Sequence, residues 1–236
     1  VTILASYANK DILLLCYTKF MQARITDLRY DYLGFELELI EKLSPNLGKD
    51  NTQKLVDAVN DIVRSKINND AIHKISTNIL NPIILDKSAW QIYNTSEMEL
   101  EYPSEMKCYL DIISKYYQDI YSNKYIINWQ PTMGMACFEA SLGSKSVNII
   151  CNILQAIGLL YLNDHPDTTI QQFSVDTLIN LKLARKIFES LFEANLVVIR
   201  DNDQGIYTVN LVNYTGNTDL DIRPIFVEVF VEERES

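Results

Sequence analysis

Histidine and glycine are scarce in this chain, and its cysteines are never closely paired. Two histidines, His73 and His165, and seven glycines occur in 236 residues. Neither histidine has a Cys or His neighbour at ligand spacing, so no Cys/His zinc site is expected and no metal or other cofactor is assigned. A Ser-His-Asp or Cys-His set would have to be built on one of those two residues. His165 stands in the loop Asn163-Asp164-His165-Pro166-Asp167, with no G-x-S-x-G elbow to accompany it. The glycines form no G-x-G-x-x-G or other phosphate-cradling loop. Carboxylate pairs such as Glu36/Glu38 and Asp201/Asp203 read as solvated faces and turns as readily as general acids and bases. A catalytic reading therefore has no residues to rest on, and a non-enzyme is expected.

Cys16, Cys108, Cys137 and Cys151 contain no C-x-x-C pair. They read as reduced, partly buried thiols of a nuclear or cytoplasmic protein, since two disulfides would have no supporting spacing. No apolar run reaches the length of a membrane span, and Val1-Thr2-Ile3-Leu4 lacks a basic leader, so no membrane partner is expected. A chain that starts without Met reads as a fragment. Basic excess is missing too: 21 Lys and Arg face 31 Asp and Glu, a net charge of −10. Phosphate binding needs a concentrated basic footprint, which argues against nucleic acid and for a basic protein partner.

What is present is ordinary folded-protein material, 47% apolar and 22% charged. The spacing predicts helices over residues 9–24, 31–43 (Leu33, Leu37, Ile40) and 51–66 (Leu55, Val59, Ile62, Val63), with a break at Ser44-Pro45-Asn46-Leu47-Gly48. Ile79 to Leu85 is short, β-branched and interrupted by Pro82, which reads as an edge strand. A helix follows Pro103, with Met106, Leu110, Ile113, Tyr117 and Ile120 on one stripe and Ser104 as a cap. Tyr125 to Gln130 and Met135 to Leu142 read as two strands joined at Pro131-Thr132-Met133-Gly134. The second alternates Ala136, Phe138, Ala140 and Leu142 against Cys137, Glu139 and Ser141.

Beyond that, helices are expected over 147–162, 168–176 and 181–194. A hairpin follows from Leu196-Val197-Val198-Ile199 through an Asp201–Gly205 turn to 206–212, and a last strand covers 225–231. Three helices and a two-stranded wing are the order of a winged helix. The fold class is therefore α+β: a helical-bundle segment (1–78), a small α/β sheet domain (79–146) and a winged-helix domain with a trailing strand (147–236). A winged helix also invites a DNA-binding regulator as the alternative. Lys182, Arg185 and Lys186 would be its readers, opposed by Glu189 and Glu193 on the same helix and by Asp201 and Asp203 in the wing.

Five stretches carry a family likeness. Tyr17-Thr18-Lys19-Phe20-Met21-Gln22-Ala23-Arg24-Ile25 resembles a Tyr-x-Lys-x-Leu-Ala-Lys-Arg-Leu helix. Asp61-Ile62-Val63-Arg64-Ser65 resembles Asp-Ile-x-x-Ser, and Leu85 to Trp90 a Leu-x-x-x-x-Trp-Pro step. Trp129 matches the end of an Arg-Lys-Leu-x-Trp strand, and Gln155 to Asn163 resembles Gln-x-x-Ile-Leu-x-x-Phe-Asn. In this order they resemble the C-terminal region of the cullin family. Gln91 replaces the Pro, and Tyr125-Ile126 the Arg-Lys. The likeness is thus to a divergent cullin, either a fungal one or one closer to the cullin-like subunit of the anaphase-promoting complex.

The resemblance implies a scaffold of a cullin-RING ubiquitin ligase. It implies that a zinc-bearing RING-box protein adds a strand to the small sheet along Ile127, Trp129, Met135, Cys137 and Glu139. That partner brings a ubiquitin-conjugating enzyme, and a substrate adaptor binds an N-terminal region outside this sequence. A modifiable lysine would lie in a second winged helix that is likewise not in this sequence. A helical subunit of a large regulatory particle is a further alternative; it would lack the sheet between its helices and its winged helix.

Overall fold

The structure is a computed structural model that describes residues 10–27, 32–75, 80–86, 98–122, 124, 126–143, 145–201, 205–210 and 214–226. The described residues fall into two compact units, one drawn from 1–96 with 109–127, the other from 97–108 with 128–236.

The first unit is helical: α1 (Lys10–Asp27), α2 (Leu33–Leu47), α3 (Lys49–Ile75) and the greater part of α4 (Ser104–Tyr121). Its core gathers Met21 from α1, Leu33, Ile40, Leu43 and Leu47 from α2, and Leu55, Val59 and Ile62 from α3. The break expected over Ser44–Gly48 does end α2, but at its far end rather than at the proline. Pro45 sits in its last turn, where a missing N–H removes a single helical bond, and the helix runs on to Leu47 before Gly48 turns the chain at φ +84°. Glu36 is not on a solvated face either. It is buried to 1% exposure and gripped by Arg24, whose Nε donates to Oε1 at 2.7 Å and Nη2 to Oε2 at 3.0 Å. The Tyr17 hydroxyl donates to Oε2 at 2.9 Å. Burial and the Glu36 carboxylate together raise the Tyr17 phenol above its usual range.

The edge strand expected at 79–85 is absent: residues 80–86 have no regular secondary structure and belong to no sheet, and Ile79 lies outside the described residues. Their main-chain groups are taken by one row of side chains on α3. His73 Nε2 meets Leu80 O at 3.3 Å, and Asn69 Nδ2 donates to Pro82 O at 3.0 Å. The Ile84 N–H donates to Ser65 Oγ at 2.8 Å and the Asp86 N–H to Asp61 Oδ2 at 2.9 Å. This also explains why α3 runs to Ile75 although its apolar stripe fades after Lys66. Its later polar residues are there to read a backbone.

The second unit holds two three-stranded sheets. The strands are β1 (Met135–Leu142), β2 (Lys145–Asn152), β3 (Thr168–Thr169), β4 (Val197–Asp201), β5 (Ile206–Val209) and β6 (Asp219–Asp221). The helices are α5 (Ile153–Asp164), α6 (Ile170–Thr177) and α7 (Leu181–Glu193). One sheet has the order β1-β2-β6, the other β3-β5-β4. Residues 126–130 form no strand, and Pro131–Met133 is a short 3-10 turn, so the expected hairpin does not form. β1 pairs instead with β2, through a tight turn in which Gly143 has φ +63°. The first half of the helix expected over 147–162 is therefore strand, and the boundary placed after residue 146 falls inside β2. Residues 225–226 close a helical turn rather than open a strand; 227–231 lie outside the described residues.

β2 stops where Asn152 caps α5. Its side chain accepts from the Gln155 N–H at 2.8 Å, and the Asn152 N–H donates back to Gln155 Oε1 at 3.1 Å. Gln155 is fully buried, and its amide nitrogen donates to Ser190 Oγ and Ile222 O, both at 3.1 Å. One satisfied side chain thus joins α5, α7 and the residue after β6. An edge-to-face chain of rings, Tyr161, Phe173, Phe188 and Tyr207, with centroids 5.0–5.1 Å apart, ties α5, α6, α7 and β5 into one core. Gly158 lets α5 approach α7, since a Cβ there would stand 2.9 Å from Ile187 Cγ2.

Candidate functional site

The expected alternation of β1 is observed. Ala136, Phe138, Ala140 and Leu142 turn inward, opposite Val147, Ile149 and Cys151 of β2, while Met135, Cys137, Glu139 and Ser141 are exposed. Burial pushes the Cys151 thiol up to about 12, with Cys137 and Asp221 adding to it. β1 lies at the end of its sheet, and among the described residues β2 is its one strand neighbour.

The ladder fixes which main-chain groups that edge presents. Gly134 O accepts from Ile153 N at 3.1 Å, which makes this the hydrogen-bonded kind of antiparallel pair. Counting along the register, Ala136, Phe138, Ala140 and Leu142 turn their N–H and C=O toward β2. The other side of β2 agrees: Asn148 N donates to Thr218 O at 2.7 Å, and Ile150 O accepts from Ile222 N at 2.9 Å. The N–H and C=O of Met135, Cys137, Glu139 and Ser141 therefore face the open edge.

Around this edge the outer face of the sheet is polar and mostly acidic. Glu139 accepts from Ser146 Oγ, and Asn148 Nδ2 donates to Asp219 Oδ1 at 2.8 Å. Arg223 reaches Asp221 through Nε at 2.9 Å and Nη2 at 2.6 Å, and its Nη1 lies 3.4 Å from Met135 Sδ. Those hydrogen bonds hold the Asp221 carboxyl below the usual carboxylate range. Among the described residues there is no group of three or more His, Cys, Asp or Glu side chains that could hold a metal ion.

The five residues singled out from the sequence divide. Met135, Cys137 and Glu139 stand together on the exposed face of β1, and Met135 is 43% exposed. Trp129 is half-buried in the same unit and is not among the described side chains packed on its core. Ile127 is half-buried and falls in the helical unit. Ser141, which the alternation sets on the same face, was not counted with them, and Asp221 and Arg223 were missed. Their signal was the short alternating Asp219-Leu220-Asp221, which places a third strand beside β2.

Lys186, offered above as a DNA reader, is only 5% exposed, while Lys182 and Arg185 remain exposed. Trp90 and Gln91 lie outside the described residues.

A family model, the cullin alpha+beta domain, matches residues 84–213, more than half of the chain. An uncharacterized cullin-like protein of Acanthamoeba polyphaga mimivirus is 47% identical over 161 residues, covering 68% of this chain and 57% of that protein. Anaphase-promoting complex subunit 2 of Homo sapiens is 21% identical over 127 residues, covering 54% of this chain and 15% of that one. Cullin-3 of Dictyostelium discoideum is 24% identical over 204 residues, covering 82% and 26%. The chain thus spans little more than half the length of the viral relative and a minor part of the other two. With this match, the chain belongs to the cullin family.

Proposed function

We propose that this chain is a non-catalytic scaffold of a ubiquitin ligase of the cullin-RING kind, and that a RING-bearing partner adds a strand along β1. One observation carries the reading. β1 ends its sheet with four residues, Met135, Cys137, Glu139 and Ser141, whose main-chain groups face outward. Strand addition uses such groups for affinity and the flanking side chains for selectivity. Exposed Met135 is the apolar side chain that β1 itself offers, half-buried Trp129 of the same unit is taken as a second, and Glu139 gives the contact a negative charge. Zinc belongs to the partner, which in turn carries the ubiquitin-conjugating enzyme. A substrate adaptor binds a part of the protein outside this sequence, and the complex works in nucleus and cytoplasm.

The order α5, β3, α6, α7, β4, β5, with β5 between β3 and β4, is read here as a winged helix used for protein contact. Burial of Lys186 takes one of three cations from the DNA-binding alternative.

Co-expression of the full-length protein with a RING-bearing protein from the same source tests the proposal. The expected result is a stable complex that carries zinc, against none in the chain purified alone. Zinc bound by the chain alone, or no complex with any RING-bearing protein of that source, would overturn it.

A further inference from the structure

The row on α3 that takes residues 80–86 repeats every four residues (Asp61, Ser65, Asn69, His73), and the segment answers every second residue (Asp86, Ile84, Pro82, Leu80). The periods match: four helical residues rise about 6.0 Å and two extended ones about 6.6 Å. In an extended chain the N–H and C=O of one residue point to the same side, so residues 80, 82, 84 and 86 all turn their main chain toward α3. At Ile84 the N–H donates to Ser65 Oγ, whose single proton has two acceptors in reach, Asp61 O at 2.8 Å and the Ile84 carbonyl at 3.2 Å.

The next rung differs. Asn69 donates to Pro82 O, but a proline has no N–H to return. Asn69 is only 3% exposed, and its Oδ1 has no hydrogen-bond donor among the described residues. The side chains between the rungs, Ile83 and Leu85, pack on the helical core, so the segment is seated by apolar contact as well as by the row.

We infer that residues 80–86 form a strap latched onto α3 by main-chain recognition, and that the Asn69–Pro82 rung is a built-in weak point that lets the strap open while α3 stays folded. A buried acceptor with no donor lowers the cost of local opening, and opening exposes it to water. Supplying the missing N–H should therefore tighten the latch.

The test is residue-resolved hydrogen exchange on the whole chain, read at the Ile84 and Asp86 amides, which exchange only when the strap leaves Ser65 and Asp61. Pro82→Ala is expected to slow both by about tenfold, the effect of satisfying one buried polar group. In an Asn69→Ala background, or Asn69→Leu if the alanine variant does not fold, Pro82→Ala is expected to give no slowing. Amides in the middle of α3 are expected to exchange more slowly than both throughout.

Unchanged or faster exchange in Pro82→Ala would overturn the inference, because loss of the proline ring would then outweigh any new bond. An equal slowing in both backgrounds would overturn the role of Asn69. Exchange of α3 together with the strap would overturn separate opening.

Discussion

Arg24 matches the arginine of the family's helix motif, and its work in this fold is to neutralise a buried carboxylate. With Arg24→Ala, the buried Glu36 side chain would lose both guanidinium donors and keep Tyr17. The expected cost is about 2–3 kcal/mol, because Arg24 itself is partly exposed while Glu36 is not. Arg24→Met combined with Glu36→Met should recover most of that loss, and chemical denaturation of the two variants checks it. Trp129 is a different case. A core-filling tryptophan would cost about 3–5 kcal/mol on truncation. Half-buried and off the core of its unit, Trp129 should leave stability little changed when replaced by Ala, while capture of a RING-bearing partner weakens by about 2 kcal/mol or more. A variant that melts normally and binds normally would show that Trp129 has neither role.

At the scale of elements, β1 was legible because its two faces differ, one apolar and one polar, and no helix could reproduce that alternation. Its partner was not. Val147, Ile150, Ile153, Leu154 and Ile157 fit a helical stripe, and the strand and the helix run on without a break in hydrophobicity. The boundary is nevertheless written in small residues: Gly143-Ser144 suits a two-residue turn, and Asn152 with Gln155 makes a capping box. Misplacing the turn at Pro131–Gly134 gave β1 the wrong neighbour while leaving its exposed residues right. Residues 80–86 escaped for another reason. A segment whose backbone is satisfied by helix side chains has the composition of an edge strand, and it differs only in what it pairs with.

The ladder separates two neighbouring positions on β1. Cys137→Pro removes an outward N–H and should leave the chain folded while it weakens strand addition. Phe138→Pro removes a bond to β2 and a core side chain, and should unfold the second unit. Circular dichroism melts and pull-downs of the two variants read the difference.

Taken whole, the chain is an acidic member of the cullin family, proposed above to act by holding a partner. The half proposed as a winged helix should bind duplex DNA no more tightly than the non-specific range, roughly 10⁻⁴–10⁻⁶ M at about physiological salt, in a mobility-shift titration. Sequence-selective nanomolar binding would favour the regulator reading instead. The central claim, that a partner strand lies along β1, is read most directly at single amides. Hydrogen exchange resolved by NMR, on the chain alone and with its RING-bearing partner, should show an alternating pattern. The amides of Met135, Cys137, Glu139 and Ser141 should exchange freely alone and become protected in the complex, while those of Ala136, Phe138 and Ala140 stay protected in both. A complex in which those four amides exchange as fast as before would contradict it.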